Sequence, residues 1–318
     1  MRRHDVVTVA VISWNTRALL IRCLRSLEPD VAAGEAEVWV VDNGSADGSA
    51  AAARAEAPWA TVVEAPENLG FGRAVNLVAE RTEGDWLVCA NADVALEPGA
   101  LRALLDAAGD ERVGAVAPRL ILADGRTQHS VYPFPTVPFT VAFNLGLPRL
   151  SARWSDELCL EGSWNPDRPR TVPWAIAALL LLRRRAFERV DGFDASRWMY
   201  AEDLDLGWRL RDGGWVTRYE PAAHVQHASG AATELAFGDG RVDRYMRATY
   251  AVILSRRGIV RTWTTAAVNV TGAAARVAWT APLGLVWPRR RPAAARALMW
   301  LRAHRQGLRA PAVLRSEQ

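Results

Sequence analysis

Val6-Val7-Thr8-Val9-Ala10-Val11-Ile12, followed directly by Ser13-Trp14-Asn15, is the stretch on which the fold turns. An unbroken run of β-branched and apolar residues fits a strand buried on both faces, as in a parallel sheet; a sheet with one wet face would alternate. The pattern then repeats. Arg17 to Leu27 reads as a helix, Glu37 to Val41 as a strand ending at Asp42-Asn43-Gly44-Ser45, and Ala46 to Ala57 as a helix. Thr61 to Glu64 is a short strand, Gly72 to Arg81 a helix, and Trp86 to Ala90 a strand ending at Asn91-Ala92-Asp93. Pro98 to Ala108 reads as a helix with Pro98 in its first turn, and Val113 to Ala117 as a further strand. This alternation at short spacing predicts an α/β fold with a doubly wound, mostly parallel sheet, whose ligands bind beyond the carboxyl ends of the strands.

Polar residues fall at those ends. Asn15, Asp42 and Asp93 each follow a strand, so the topology would gather them at one crevice. Asp and Asn after a strand also make Asx turns or cap the next helix, and the run from Asp42 to Ser49 is dense in such residues. No G-x-G-x-x-G joins the first strand to the first helix, which sets aside the dinucleotide-binding dehydrogenases. No G-x-x-x-x-G-K is present either, which argues against P-loop chemistry.

A second organising stretch is Trp198-Met199-Tyr200-Ala201-Glu202-Asp203-Leu204-Asp205-Leu206-Gly207-Trp208-Arg209-Leu210, closed by Gly213-Gly214. Leu204 with Trp208, and Leu206 with Leu210, stand four apart, so Glu202 and Asp203 sit at a helix entrance. Acidic residues there complement the helix dipole, and Asp205 can pair with Arg209 one turn on. Alternatively, the carboxylates face the crevice already outlined by the strand ends.

With 318 residues, 50% of them hydrophobic and 23% charged, the chain can bury a large α/β core and carry an appendage. The net charge of +4 comes from arginine, concentrated late, in Arg289-Arg290-Arg291 and from Arg296 to Arg315. That placement points to a local anionic partner, a membrane surface first; no zinc spacing or recognition-helix motif favours nucleic acid. Cys23, Cys89 and Cys159 are too few and too scattered for a disulfide framework, and the N-terminus lacks the apolar core of a signal peptide. A reducing, cytoplasmic setting is the expectation.

From Arg119 to Arg170, Pro133, Pro135, Pro138, Pro148, Pro166 and Pro169 interrupt any long element, as in an insertion covering a substrate. Val172 to Leu182 returns to a strand or strand pair, Arg184 to Val190 to a helix, and Val216 to Tyr219 to a strand, before His224 and His227. Arg241 to Arg256 reads as a helix. Thr262 to Trp287 is apolar but broken by Pro282, so either a membrane-interfacial helix or a helical hairpin packed on the protein is expected, rather than a span.

Taken together, these residues resemble the family 2 glycosyltransferases of GT-A fold, over roughly residues 6 to 235. The resemblance rests on Ser13-Trp14-Asn15, Val40-Val41-Asp42-Asn43-Gly44-Ser45, Asn68-Leu69-Gly70-Phe71, Asn91-Ala92-Asp93, Trp174 with the apolar run before Arg183-Arg184, Gly192-Phe193-Asp194, Met199 to Leu206, and His227 with Gly230, in the family's order. It is most similar to bacterial rhamnosyltransferases acting on lipid-linked sugars, including actinobacterial cell-wall linker enzymes.

The resemblance implies a catalytic domain over 1–240, with a nucleotide-sugar half at about 1–118 and an acceptor half at about 119–240. Residues 241–318 are expected to form a helical C-terminal region, either membrane-associating or packed on the protein. It implies an inverting, metal-dependent transfer, with dTDP-L-rhamnose as donor and a polyprenyl-linked or glycan acceptor, at the cytoplasmic face of the membrane. Another donor sugar, UDP- or GDP-linked, with a glycan or small-molecule acceptor, and a sugar-nucleotide-binding module without turnover, are the alternatives. Asp93 matches the last residue of the family's D-x-D and would hold Mg²⁺ or Mn²⁺ with His227; His224 is the weaker candidate. Asn91 replaces the first Asp of that motif. Asp42 matches the residue that bonds the pyrimidine, framed by Ser13 and Asn15, while Asn68, Gly70, Arg73, Asn91 and Ala92 line the donor. Asp203 is the implied general base, with Glu202 beside it. Ala177 stands where many relatives carry Gly.

Overall fold

The computed structural model describes residues 6–228, 241–287, 289 and 291–308. The matched Gly230 and the basic positions Arg290, Arg309 and Arg315 lie outside the described residues. The chain divides into two compact units, one of residues 1–132 and 164–236, the other of residues 133–163 and 237–318.

The first unit is built on a mixed sheet. Strands β1 (Val7–Ser13), β2 (Ala36–Asp42), β3 (Thr61–Glu64) and β4 (Trp86–Asn91) run parallel in the order β3-β2-β1-β4. All seven residues of β1 are buried, as its unbroken apolar run requires. Between them run α1 (Arg17–Ala32), α2 (Ser49–Glu56) and α3 (Phe71–Ala79), and Leu20, Cys23, Leu24 and Leu27 of α1 enter the core. Register aligns Ser13 with Asp42 and Ile12 with Asn91, so the strand ends finish level, as a shared crevice needs.

The other half departs from a simple doubly wound pattern. After β5 (Val94–Leu96) and α4 (Ala100–Ala107), β6 (Val113–Ile121) runs longer than the sequence suggests. Gly99 takes a left-handed conformation and sets the helix start beyond Pro98. Among the described residues, the short strand β7 (Val131–Tyr132) pairs only with β9 (Trp174–Ala175), and β8 (Arg170–Val172) adds to β11 (Val216–His227). Strand β10 (Leu179–Arg183) inserts antiparallel between β4 and β6, a reversal that composition cannot signal because both orientations bury the same leucines. Strand β11 (Val216–His227) continues well past Tyr219 by way of a bulge between Glu220 and His224, pairs antiparallel with β5, and carries His227 to the level of Val94.

After α7 (Arg184–Arg189), helix α8 (Glu202–Asp212) holds the second decisive stretch. Leu204, Leu206, Trp208 and Leu210 are buried, and Gly207 is dictated by packing, since a Cβ there would lie 2.6 Å from that of Trp174. Asp205, with no solvent exposure, accepts from Arg209 Nε at 2.7 Å. The same guanidinium donates to the carbonyl oxygens of Val190 and Gly192, tying α8 to the preceding turn. Asn76 of α3 grips that turn from its far side, donating to Phe193 O at 2.8 Å and accepting from Phe193 N at 2.9 Å.

The second unit is helical: α5 (Val137–Asn144), α6 (Ala152–Glu157), α9 (Arg241–Arg257), α10 (Ile259–Val286) and α11 (Arg291–Gly307). Pro282 does not break α10, which runs through it for 28 residues, where the sequence suggested an interruption. Proline this close to a helix end sacrifices a single backbone bond. Polar contacts join these helices: Tyr250 Oη to His304 Nδ1 at 2.9 Å, buried, and Asn144 Nδ2 to Asn269 Oδ1 at 2.9 Å, half-buried. No described helix is long and apolar enough to cross a membrane.

Candidate active site

A cavity of about 270 Å³ opens where β1, β2 and β4 end and α8 begins. Asn68, Asn91, Ala92, Asp93, Glu202, Asp203 and His227 all line it, so residues up to 159 positions apart in the chain meet in one place.

The carboxylate pair is presented by an unusual backbone. Tyr200 and Ala201 both adopt left-handed conformations, φ 66° and 61°, immediately before Glu202. Two consecutive non-glycine residues in that region cost of order 1–3 kcal/mol each and persist only where surrounding contacts hold them. Ala201→Gly is expected to raise stability by about 1 kcal/mol in chemical denaturation, because glycine adopts this conformation without strain. An unchanged or lower midpoint would mean that the backbone is not strained there.

Asp203 accepts from its own helix at Leu204 N, 2.8 Å, and from the amide of Ala177. Glu202 has Oε2 buried without a hydrogen-bond partner. Burial raises the proton affinity of both carboxyls, and Glu202 is driven further because the Asp203 charge adds to its desolvation. The pair therefore carries one negative charge more readily than two. The amides at Asp203 settle that charge there.

Opposite elements supply Asp93 and His227, 7% and 6% exposed. His227 Nδ1 lies 2.6 Å from Gln128 Oε1, which makes Nδ1–H the donor and turns Nε2 towards Asp93 Oδ1 at 3.2 Å. That approach meets an ion-pair distance but lacks hydrogen-bond alignment, so Oδ1 is left buried without a hydrogen-bond partner. His224 instead bonds Glu97 at 3.1 Å, away from the cavity lining.

Other predicted residues lie behind this lining. Ser13 Oγ meets Thr16 Oγ1 at 3.1 Å, and Asp42 accepts from Ser45 Oγ. Asn15, at φ 52°, accepts from Ala46 N at 2.8 Å. These are the Asx-type and turn bonds that strand-end residues make. Arg73 lines a separate cavity with Glu64, Glu80 and Arg81. Gly70 does not line the cavity but shapes it: at φ 81°, it packs so closely that a Cβ would overlap the carbonyl of Trp198, whose indole donates to Asn68 O at 3.0 Å.

The lining also includes Ala177, noted above for its departure from many relatives, and Trp14, Thr16, Asn43, Phe71, Ile176, Met199 and Tyr200, which the sequence reading did not single out as site residues. For some the signal was available. Trp14 stands between Ser13 and Asn15, Asn43 directly follows Asp42 and donates to Gly70 O at 3.3 Å, and Met199-Tyr200 lead into the carboxylates. Ile176 carried none, because only the pairing of β10 with β4 brings that loop, with Ala177, to the strand ends.

Residues 8–152 match Glycosyl transferase family 2. The chain is 34% identical over 244 residues to the N-acetylglucosaminyl-diphospho-decaprenol L-rhamnosyltransferase of Mycobacterium tuberculosis, covering 72% of this chain and 78% of that one. It is 29% identical to Rhamnosyltransferase WbbL of Escherichia coli, over 50% of this chain and 60% of that one. The mannosyltransferase PcManGT from Pyrobaculum calidifontis, solved with GDP-Man and Mn²⁺, superposes with a TM-score of 0.60 at 20% identity, covering 95% of this chain and 86% of that one. With a mixed sheet whose strand ends meet carboxylates from a later helix, and with a relative this similar over most of both lengths, the chain belongs to Glycosyl transferase family 2, has the GT-A fold and is a glycosyltransferase.

Proposed function

We propose that the enzyme transfers L-rhamnose from dTDP-L-rhamnose to a polyprenyl-diphosphate-linked sugar at the cytoplasmic face of the membrane, inverting the anomeric centre. The donor and acceptor classes follow the mycobacterial relative, whose name specifies an L-rhamnosyltransferase acting on a decaprenyl-linked sugar. The observation that carries the chemistry is the meeting of Asp93, His227 and the Glu202–Asp203 pair around one cavity.

In this reading, Asp203 takes the proton of the acceptor hydroxyl as that oxygen bonds to C1 of the sugar and the C1–O bond to the diphosphate breaks. Glu202 stays protonated beside it, so that the pocket does not hold two adjacent charges. Asn68 and Asn91 line the donor with Ala92. Asp42, Ser13 and Asn15 support the base-binding wall from behind, through the turn that carries Asn43, while Gly70 shapes the loop. Arg73, on its separate cavity, acts on the donor only through α3.

A divalent cation, Mg²⁺ or Mn²⁺, fits the donor set: Asp93 Oδ1 and His227 Nε2 converge at 3.2 Å without a hydrogen bond. Adjacent ligands of a cation with bonds of about 2.1 Å stand about 3 Å apart. Among the described residues, no third His, Cys, Asp or Glu joins them, which leaves positions for diphosphate oxygens and water. When bound, the cation would offset charge on the departing diphosphate. Gln128 orients His227 for this role, as partners of ligating histidines do.

Incubating the full chain with dTDP-L-rhamnose, polyprenyl-diphospho-N-acetylglucosamine and Mg²⁺ is expected to release dTDP with formation of rhamnosyl lipid. EDTA is expected to stop the release, and Mn²⁺ or Mg²⁺ to restore it. Release only from a UDP- or GDP-linked sugar would overturn the rhamnose assignment, and full turnover in EDTA the metal assignment.

A further inference from the structure

We propose that the second unit docks on an anionic bilayer, with α10 lying in the plane of the head groups on the face that runs from Val260 to Leu285. The proposal deepens the membrane-face reading above and rests on it for the chemistry of the acceptor.

Exposed apolar side chains are not spread over the molecule. Among the described residues, 17 large hydrophobics are exposed, and all except Trp198 belong to the second unit. Scattered exposure is ordinary; concentration of this kind marks an interaction surface.

On α10 the exposure has helical order. Val260, Trp263, Ala267, Thr271, Ala274 and Ala278 are exposed, spaced three and four apart, and the row runs on to Leu285, 83% exposed. No charged residue stands in it. Thr265, Ala266, Ala273 and Gly284 point the other way, into the unit. At about 100° per residue, Trp263 forms one edge of the row and Trp279 stands about 80° beyond the other, at the azimuth of Arg261, positions where amphipathic rings suit the boundary between head groups and acyl chains. Thr264 turns its hydroxyl back to Val260 O at 2.8 Å, so that group asks for no external partner. At 1.5 Å per residue, 28 residues extend about 42 Å, more than a hydrocarbon core of about 30 Å, and the helix is too poor in large apolar side chains to cross it. An in-plane position buries the row without burying charge.

Charge selects the occupant. From Arg244 to Ser316 the sequence has 14 arginines and neither Asp nor Glu. Arg261, Arg289, Arg291, Arg296, Arg302 and Arg305 are exposed. An acid-free basic stretch flanking an uncharged helical face complements anionic phospholipid rather than a zwitterionic surface or a second copy of the same basic unit, which it would repel.

The test is sedimentation of the full chain with vesicles of phosphatidylcholine alone and of phosphatidylcholine with phosphatidylglycerol, with tryptophan emission recorded in parallel. The wild type is expected to pellet with the anionic vesicles, to shift its emission to the blue, and to release as salt rises. Val260→Glu/Leu285→Glu, at solvent-exposed positions, is expected to weaken vesicle binding at least tenfold while leaving the melting temperature and sugar-nucleotide affinity unchanged. A wild type that stays in the supernatant, a variant that binds like wild type, or equal binding to both vesicle types overturns the proposal. So does a vesicle-free dimer that the same variant dissolves. Vesicle binding without turnover of any sugar nucleotide supports this surface and sinks the glycosyl-transfer reading; turnover of a water-soluble acceptor without vesicle binding does the reverse.

Discussion

Asp203→Asn is expected to lower kcat by about 10²–10⁴-fold, the usual contribution of a positioned base, with the sugar-nucleotide Kd unchanged. The substitution keeps the size of the side chain and its place against Leu204 N and Ala177 N, but removes the carboxylate proposed above to accept the proton. The pH dependence sharpens the test. Burial raises the Asp203 proton affinity, so the acid limb of kcat/KM is expected above the ordinary aspartate value of about 4, with activity falling as pH drops through it. In the variant that limb should vanish. Stability runs the other way: a carboxyl whose folded pKa is raised favours the fold when protonated, and that advantage is lost as pH rises through the folded value. At neutral pH the variant, and more so Glu202→Gln, is therefore expected to melt a few degrees higher while turning over less. A variant with a near-normal rate would remove Asp203 from the chemistry, and a lower melting temperature would contradict the cost assigned to burial.

Asp205→Ala is expected to lower unfolding free energy by about 3–5 kcal/mol, the penalty for leaving one member of a buried ion pair alone. Asp205 is wholly buried, its partner Arg209 is 14% exposed, and the guanidinium also holds the carbonyls of Val190 and Gly192. Without the carboxylate, that cation stays within the packing between α8 and the turn gripped by Asn76. Because α8 opens with Glu202 and Asp203, kcat should fall along with stability. Asp205→Ala/Arg209→Met should recover part of the stability, since no uncompensated charge is then buried. Urea titration measures both; a single-variant loss below about 1 kcal/mol would show that the pair is not what anchors the helix.

The sequence reading recovered the parallel half of the sheet nearly residue by residue, because runs such as Val7–Ser13 and Trp86–Asn91 are buried on both faces and composition records that burial directly. It also placed the carboxylates at a helix entrance, because the i, i+4 spacing of Leu204 with Trp208 is local information. Arginine accumulation near the C-terminus was equally visible.

What residue order could not convey was pairing between distant segments. The antiparallel insertion of β10, the bulge that prolongs β11 to His227, and the grouping of residues 133–163 with the C-terminal helices each depend on contacts that leave no periodic trace in the chain. For the site, chemistry was legible and direction was not. Asp42, Ser13 and Asn15 were visible as polar residues at strand ends, yet their side chains turn into local hydrogen bonds, whereas Asn43, Trp14 and Ile176 face the cavity. Residue type states what a group can do. Which way it points, and the raised proton affinity of Glu202 and Asp203, were decided only when the folded chain removed water from around them.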